Sequence, residues 1–304
     1  MSAEPSEKVE KSEPISFRED FMVLTKIRLN TFVLITTLFG FLLASLSLHD
    51  TWVSSWAILF HTILGTGAAA FGSAAFNQLM EIEQDRMMRR TANRPLPARR
   101  MNVTTAFMIG WGLSAFGVIH LGALVNTWAA YLAAVTIAIY VFVYTPLKRK
   151  STTNTLIGAI PGAIPPVIGW AAAGGNWYDW EAWYLFALLF LWQLPHFVAI
   201  NWMCREEYEE AGYVMWSNGD VSGKKTARLA LMFSICLTAL APLAYVAGFA
   251  GLVFAIGGTV AGAYMCWLAV GFGKNGDRAS ARKLFLFTLL YLPLALGLLA
   301  ISWH

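Results

Sequence analysis

The sequence predicts an all-α membrane protein with nine transmembrane helices around a central cavity, and three observations support this fold class. The chain of 304 residues is 57% hydrophobic and only 13% charged, a balance that soluble domains of this size do not have. Apolar runs of about 20 residues, the length that crosses a bilayer as a helix, recur along the chain. All 22 Lys and Arg residues fall in the N-terminal arm, between these runs or near their ends.

The apolar runs define the predicted spans in chain order. They are 24–48, 53–82, 103–125, 128–147, 154–173, 181–204, 227–249, 251–273 and 283–303. Three prolines, Pro161, Pro165 and Pro166, interrupt the fifth span. Irregular backbone at membrane depth is tolerated where it lines a cavity instead of facing lipid. The fifth span is therefore predicted to border a central cavity.

The positive charges predict the orientation of the chain. Lys and Arg occupy the N-terminal arm and the connections between spans 2 and 3, 4 and 5, 6 and 7, and 8 and 9. The charged residues of the opposite connections are all acidic: Asp50, Asp179 and Glu181. Cytoplasmic loops of membrane proteins are enriched in Lys and Arg. We therefore expect the N-terminus to be cytoplasmic and the C-terminus to lie outside. The same asymmetry accounts for the net charge of +4, which is thus no argument for nucleic-acid binding.

The N-terminal arm, residues 1–17, is polar and acidic and is predicted to be disordered and cytoplasmic. A single intramembrane domain is predicted over residues 18–304. The arm lacks the Arg-rich, acid-poor character of a mitochondrial transit peptide and the apolar core of a cleavable signal peptide. The sequence therefore favours a multi-pass protein of a bacterial cytoplasmic (inner) membrane. Cys204, Cys236 and Cys266 are scattered and indicate neither a disulfide framework nor a zinc site.

A polar motif lies at the end of the second predicted span. Asn77, Glu81 and Asp85 are four residues apart, so on a helix they share one face. Carboxylates at the end of an apolar helix are costly unless a cation meets them. Such oxygen ligands suit Mg²⁺, which usually binds through one or two carboxylates together with substrate phosphates. Arg90 and Arg94 follow, and guanidinium groups match phosphate oxygens. The segment predicts a metal–diphosphate site at a membrane surface.

A second polar segment follows the sixth span on the same predicted side. His196 lies within the span, and Glu206 and Glu207 extend the helix beyond it. His196 and Glu207 are eleven residues apart, about three helical turns, and so share a face. Carboxylates opposite the first motif would complete a two-cluster Mg²⁺ site around a diphosphate. Lys148 and Arg149, after the fourth span, add two cations for the same phosphates.

These segments resemble the UbiA-type intramembrane prenyltransferase superfamily. The first match is Asn77-x3-Glu81-x3-Asp85-x2-Met88-x-Arg90-Thr91-x2-Arg94-Pro95-Leu96. Two others, Tyr144-Thr145-Pro146-Leu147-Lys148-Arg149 and Trp192-Gln193-x-Pro195-His196-Phe197 with Arg205-Glu206-Glu207-Tyr208 downstream, are similar to the haem-modifying branch. The likeness runs from about Leu24 to the C-terminus. It departs from the family at Glu207, where Asp is usual, and at Ile27, where Pro is commoner.

The resemblance implies a reaction and a set of site residues. The farnesyl group of farnesyl diphosphate would be joined to a vinyl group of haem b, with water supplying a hydroxyl, to give haem O and diphosphate. The cofactor Mg²⁺ would be held by Asn77, Glu81, Asp85, Glu206 and Glu207, of which all but Glu206 form the catalytic set. Diphosphate would be bound by Arg90, Arg94, Lys148, Arg149, Lys26 and Arg28.

The resemblance also implies a haem side and partners. His196, Trp192 and Tyr208 are expected to contact haem, with His196 as an axial ligand or a proton acceptor; the sequence leaves these two roles open. The expected partners are farnesyl diphosphate, haem b, the lipid bilayer and a downstream haem A synthase that takes the product, with no nucleic acid.

Two other functions stay open at this level. One is a prenyltransferase of the same superfamily that acts on an aromatic acid or a quinone precursor, which the segments 144–149 and 192–197 disfavour. The other is an anion transporter with the arginines along its path. Secondary transporters often contain two similar halves, and carboxylate-bearing loops follow both the second and the sixth spans. Both loops open on one side, however, whereas alternating access favours determinants near the midplane.

Overall fold

The protein is almost entirely helical. The computed structural model describes residues 16–48 and 52–304, with residues 52–55 described as helix backbone only. Within these residues nine helical segments are long and apolar enough to cross a membrane, which confirms the predicted fold class. Residues 1–15 of the predicted arm, and Asp50 in the predicted outer connection, lie outside the described residues.

The helices are α1 (Phe17–Leu24), α2 (Ile27–Ser47), α3 (Trp52–Met80), α4 (Ile82–Met87), α5 (Val103–Leu124), α6 (Thr127–Ala138), α7 (Thr145–Leu147), α8 (Asn154–Ala163), α9 (Pro165–Ala172), α10 (Trp180–Met203), α11 (Arg205–Glu210), α12 (Lys224–Val246), α13 (Leu252–Asn275) and α14 (Arg278–Ile301). A π-helical segment, Ile139–Tyr144, joins α6 to α7. The fourth span therefore runs through α6, the π segment and α7, and the fifth consists of α8 and α9.

Two spans begin three or more residues earlier than their apolar runs. The helix of the seventh starts at Lys224 and that of the ninth at Arg278, each before the predicted 227 and 283. A helix forms the hydrogen bonds of its own backbone, so it can continue beyond the hydrocarbon core of the bilayer while its long cationic side chains reach water. Asp277 caps the ninth span, because its side chain accepts a hydrogen bond from Ser280 N at 2.7 Å.

A short helix that the sequence analysis did not predict precedes the first span. Ser16 caps α1 and forms a capping box with Glu19, which satisfies the free N–H groups at the helix start. Asp20 of α1 pairs with Arg100 at 2.9 Å. This ion pair fixes α1 to the connection between spans 2 and 3. The helix starts at Phe17, one residue inside the predicted arm.

The prolines divide the fifth span as predicted. The helix α8 ends at Ala163, and α9 starts at Pro165, where a missing N–H costs no helical hydrogen bond. The helix α9 then packs very closely on α2. A Cβ on Gly169 would lie 1.9 Å from Thr37 O, and one on Gly40 would lie 1.9 Å from Pro166 O. Only glycine permits this approach of two backbones.

Three connections meet on one side of the bundle. The connection after the second span reaches the one after the sixth, since Arg90 Nη2 donates to Tyr208 Oη at 3.0 Å. The backbone of Val214 donates to Lys148 O at 2.7 Å, which joins the connection after the sixth span to the one after the fourth. Polar residues that are far apart in sequence are thereby gathered over the ends of the spans.

Candidate active site

A cavity of about 380 Å³ lies beneath these three connections. Its charged residues come from the ends of the spans: Lys26, Glu81, Asp85, Arg90, Arg94 and Lys148. Residues deeper in the spans are mostly apolar or aromatic: Val33, Ala70, Tyr140, Tyr144, Pro161, Pro165, Phe197 and Ile200. The cavity therefore has a charged region at the membrane surface and an apolar region that continues into the bundle.

Glu81 is at the break between α3 and α4 and has a non-helical backbone. Glu81 is 5% exposed, and its side chain accepts from Lys148 Nζ at 2.8 Å through Oε1 and from Asn77 Nδ2 at 2.9 Å through Oε2. Burial opposes ionisation, but the charges of Lys148 and Lys26 and the two hydrogen bonds hold the pKa of Glu81 below its usual value. The pKa of Lys148 is raised well above its usual value, because Glu81 outweighs the effect of burial. Both groups are therefore charged at neutral pH.

Asp85 forms the second acid–cation pair. Arg94 Nη1 donates to both carboxylate oxygens, at 2.8 and 2.7 Å. Burial nevertheless raises the pKa of Asp85, more than Arg94 lowers it. The Thr91 hydroxyl donates to Asp85 O at 2.8 Å, which tightens the turn that carries the arginine. Two carboxylates and their two cations thus line one cavity.

Lys26 adds a third cation with unusual properties. It precedes α2 in a left-handed backbone conformation, with φ of 48°, and Nζ donates to Asn77 Oδ1 at 2.5 Å. Burial, reinforced by the charges of Arg94 and Lys148, lowers the pKa of Lys26 to about 7. A further anion in the cavity would favour its charged form.

Aromatic rings surround the cations. Lys148 Nζ lies 4.7 Å from the ring centre of Tyr144 and 5.7 Å from that of Tyr213, and Arg90 lies 5.8 Å from that of Tyr208. Rings at these distances stabilise cations electrostatically. The π segment places Tyr140 and Tyr144 on the cavity wall. The Thr145 hydroxyl donates to Tyr140 O at 2.8 Å, a hydrogen bond at the end of the π segment. Such single π turns are common at functional sites.

His196 lines the same cavity from the sixth span. Its Nδ1 lies 2.8 Å from Thr288 Oγ1, on α14. The ring of Trp192 stacks on the imidazole with centres 5.7 Å apart, but Trp192 is not part of the cavity lining. Gln193, one residue further, lines the cavity and donates to Leu189 O at 2.9 Å.

Several residues predicted for the site are placed elsewhere. Asn77 is fully buried outside the lining, where it holds Glu81, Lys26 and Thr145. Glu206 is largely exposed and pairs with Arg205 at 3.0 Å. The lining also leaves out Glu207, Arg28 and Arg149, of which both arginines are exposed. The predicted roles of these residues stay predictions.

Other lining residues were not predicted from the sequence. Tyr140 reaches the cavity through the π segment. The wider turn of a π-helix cannot be recognised from the pattern of an apolar sequence. Tyr213 approaches because Val214 is bonded to Lys148 O. Thr288 does not line the cavity but supports His196 from behind, and it is a single Thr in an apolar run, where back-bonding to the helix is its ordinary role.

The donor set constrains how a metal could be held. Among the described residues, no three His, Cys, Asp or Glu side chains form a group that could hold a metal ion. Two carboxylates, Glu81 and Asp85, do line the cavity together. Mg²⁺ binds proteins through one or two carboxylates and completes its shell with water and substrate phosphates. The residues present therefore fit Mg²⁺ bound together with a phosphate-bearing substrate.

The nine apolar spans of the described residues and a cavity with paired acids and cations define a membrane-embedded protein with a site for an anionic, partly apolar ligand. The UbiA prenyltransferase family model matches residues 33–292, which is most of the chain. The chain belongs to this family and is a multi-pass membrane prenyltransferase, so the transport alternative is excluded.

One relative and two solved structures illustrate the similarity. A protein of Solibacter usitatus (strain Ellin6076) named protoheme IX farnesyltransferase is 39% identical over 288 residues, which cover 93% of this chain and 98% of the relative. A structure of digeranylgeranylglyceryl phosphate synthase has a TM-score of 0.76 at 16% identity and covers 94% of this chain and 98% of its own. A UbiA homolog from Archaeoglobus fulgidus bound to DMAPP and Mg²⁺ has a TM-score of 0.63 at 14% identity and covers 93% and 99%. At these identities the two structures show a shared fold.

Proposed function

We propose that this protein transfers the farnesyl group of farnesyl diphosphate to a vinyl group of haem b, with addition of water, to give haem O and diphosphate. The similarity to the Solibacter usitatus farnesyltransferase over nearly the whole length of both chains supports the choice of substrates. The observation that carries the proposal is a single cavity with two carboxylate–cation pairs at one end and His196 further in. An ionic leaving group and a large apolar acceptor need these two environments side by side.

The charged end is proposed to bind the diphosphate. Mg²⁺, when bound with the substrate, would neutralise the charge on the departing diphosphate, and Glu81 and Asp85 would hold it, with Asn77 orienting Glu81. The Archaeoglobus fulgidus homolog of this fold was solved with Mg²⁺ and DMAPP. Lys148 and Arg94 already lie against these carboxylates. When phosphate oxygens enter, each cation can exchange its carboxylate partner for a phosphate and keep its charge neutralised.

Arg90 and Lys26 are proposed to complete the anion site. Arg90 is held by Tyr208, and Lys26 by Asn77, so both reach the cavity without moving far. Of the two other predicted cations, Arg28 and Arg149, neither lines the cavity. A phosphate role for them remains a prediction, as does a metal role for Glu206 and Glu207.

The chemistry then follows from charge and solvent exclusion. The bond between the allylic carbon and the phosphate oxygen breaks, and diphosphate keeps the electron pair, which the cations stabilise. The vinyl π electrons of haem attack the allylic carbon, and a water oxygen adds to the resulting cation and loses a proton. Until then the walls formed by Tyr140, Tyr144 and the neighbouring apolar residues keep water from the allylic cation. His196 and Tyr208 are proposed on the haem side, with Trp192 behind His196.

The variant D85A tests the metal–diphosphate site. Purified protein in lipid nanodiscs would be assayed with haem b, farnesyl diphosphate and Mg²⁺ for haem O. Loss of a metal-holding carboxylate removes stabilisation of the leaving group, and we expect a fall in kcat of at least roughly 100-fold. The control E83A removes a nearby acid that is exposed and pairs only with Arg86, and it should retain activity. A near wild-type rate for D85A rejects the site.

A substrate comparison separates the proposal from prenylation of an aromatic acid or quinone precursor. The same preparation would be given haem b or 4-hydroxybenzoate, each with farnesyl diphosphate. If 4-hydroxybenzoate is prenylated and haem b is not, the protein belongs to the other branch of the family.

The cellular setting is part of the proposal. We infer a bacterial inner membrane, with the N-terminus and the charged end of the cavity in the cytoplasm, because the Lys and Arg of the described residues lie on that side of the nine spans found there. Residues 18–304 would act as one domain, and a haem A synthase would take the product. Labelling of introduced cysteines from either side of the membrane tests the orientation.

A further inference from the structure

Aromatic rings and one hydroxyl surround the imidazole of His196, and the ring of Phe197 meets it edge-on with ring centres 5.9 Å apart. Trp192 stacks on it at 5.7 Å between ring centres and 26° between planes, and Phe285 packs on it at 4.6 Å and 31°. Thr288 Oγ1 lies 2.8 Å from Nδ1. Within the described residues no group is hydrogen-bonded to Nε2, and His196 lines the cavity. Nε2 is therefore the ring nitrogen without a hydrogen-bond partner among the described residues.

The direction of the Thr288 hydrogen bond follows from its other partner. The Thr288 hydroxyl donates to Phe285 O at 2.6 Å. A hydroxyl has a single hydrogen, so its oxygen can only accept from His196. Nδ1 of His196 must therefore carry the proton, and the lone pair of the neutral ring is on Nε2.

Thr288 also fixes the ring that covers His196. Trp192 Nε1 donates to the backbone oxygen of Thr288 at 2.6 Å. Thr288 is completely buried between α10 and α14. One residue of the ninth span thus holds both His196 and Trp192 of the sixth, through its side chain and its carbonyl.

We propose that Thr288 is a positioning residue that keeps His196 protonated on Nδ1 and thereby presents the Nε2 lone pair to the cavity as a ligand for the iron of haem. This inference rests on the proposed function for the identity of the metal. The geometry parallels metal sites in which a hydrogen bond to one ring nitrogen sets the tautomer and orientation of the other.

The tautomer is tested without haem. Protein with ¹⁵N-labelled histidine in nanodiscs would give signals from the two ring nitrogens of each of its five histidines, and H196Q identifies the pair that belongs to His196. The wild type is expected to show Nδ1 protonated. T288V keeps the shape of the side chain but removes the acceptor, so the His196 signal should shift towards the other tautomer, whereas T288S should retain the wild-type signal. T37V is the matched control, since Thr37 is equally buried and, among the described residues, its hydroxyl donates to Val33 O of its own helix.

The iron ligand is tested by titration with ferric haem b. Absorption and electron paramagnetic resonance spectra should show histidine ligation in the wild type, T288S and T37V, and lose it in H196Q. In T288V haem affinity should fall by roughly 10–100-fold, the usual effect of losing such a supporting partner.

Three results would overturn the inference: an Nε2-protonated His196 in the wild type, unchanged tautomer and haem spectra in T288V, or haem spectra of the wild type without a histidine ligand. The first result needs only wild-type protein, so it tests the inference even if T288V does not fold. The tautomer measurement uses neither haem nor farnesyl diphosphate, so its failure is distinct from absent farnesyl transfer.

Discussion

Two ion pairs dominate the site at the scale of single residues. Glu81–Lys148 and Asp85–Arg94 are both buried on the acid side, with the carboxylate side chains 6% and 1% exposed. Removing one partner of a buried pair leaves an uncompensated charge, which costs more than the pair contributes. The same pairs are proposed to meet the substrate, so stability and catalysis can be separated by comparing single with double substitutions.

The variant K148M leaves Glu81 buried without its cation. We expect it to lose stability by about 3 kcal/mol and to lose farnesyl transfer. The double variant K148M/E81Q removes both charges, so the apparent Tm should recover much of the loss while activity stays absent. Thermal unfolding in detergent and the haem O assay measure the two effects. K150M, an exposed lysine in the same connection, serves as control. If K148M and the double variant unfold at the same temperature, the pair is not energetically coupled.

The spacing of Asn77, Glu81 and Asp85 predicts one shared helix face, whereas the structure brings only Glu81 and Asp85 of the three into the cavity lining. Periodicity assumes one regular helix, whereas the structure interrupts it at Glu81, between α3 and α4. Asn77 is consequently turned inside the protein to hold Glu81, and it does not line the cavity. The cations that pair with the acids, Arg94 and Lys148, belong to the predicted set, but sequence spacing could not assign which acid each would meet.

At the scale of elements, the connection after the sixth span is held to the start of α12 by Asp220. Its Oδ2 accepts from Thr226 N and Thr226 Oγ1, both at 2.8 Å, and Oδ1 accepts from Ser222 Oγ at 3.2 Å. Burial opposes ionisation, but these hydrogen bonds lower the pKa of Asp220 below its usual 3.8. Trp202 of α10 donates to Asp220 O at 2.7 Å, so both ends of the connection meet here.

The variant D220N is expected to unfold more easily by about 1–2 kcal/mol, since hydrogen bonds to a charged acceptor are stronger than those to an amide. Because the pKa of Asp220 is lowered, its carboxylate binds a proton less tightly in the folded protein than in the unfolded chain. The stabilisation is therefore complete above the usual carboxyl pKa of 3.8 and is lost as pH falls through the lower folded-state value. Apparent Tm measured against pH should show the two curves converging in acid. E210Q, an exposed acid of the same connection, should follow the wild type; a constant difference at all pH values would contradict the mechanism.

Element existence was predictable and element detail was not. Apolar length alone located all nine spans among the described residues, because bilayer thickness sets that length. The helix α1 and the π segment escaped prediction for different reasons. The first is too short and amphipathic to register as a span, and the second differs from an α-helix by its hydrogen bonds, not by its composition.

At the scale of the whole molecule, the cavity wall depends on the approach of α2 to α9. Gly40 and Gly169 lie against the backbone of the other helix, and the lining includes Val33 on α2 and Pro165 on α9. Small residues of this kind allow close packing of membrane helices, where the bilayer gives little hydrophobic drive for association.

The variant G169A tests this contact. Its Cβ would lie 1.9 Å from Thr37 O, so the two helices must separate, and we expect a lower apparent Tm and slower farnesyl transfer. G112A is the matched control, because a Cβ at Gly112 has no atom within 4 Å and alanine favours helix. Thermal unfolding and activity of both variants in the same lipid give the comparison. Equal apparent Tm values for G169A and G112A would show that α2 and α9 can separate without loss of stability.

The acid–cation pairing of the cavity also bears on how the protein exists between turnovers. Each carboxylate in the lining has a cation within its own chain, and Arg90 and Lys26 add further positive charge. Folding therefore does not require a dissolved metal ion to offset the buried carboxylates. We expect purification in the presence of a chelator to leave the protein folded in the bilayer and ready to be reloaded.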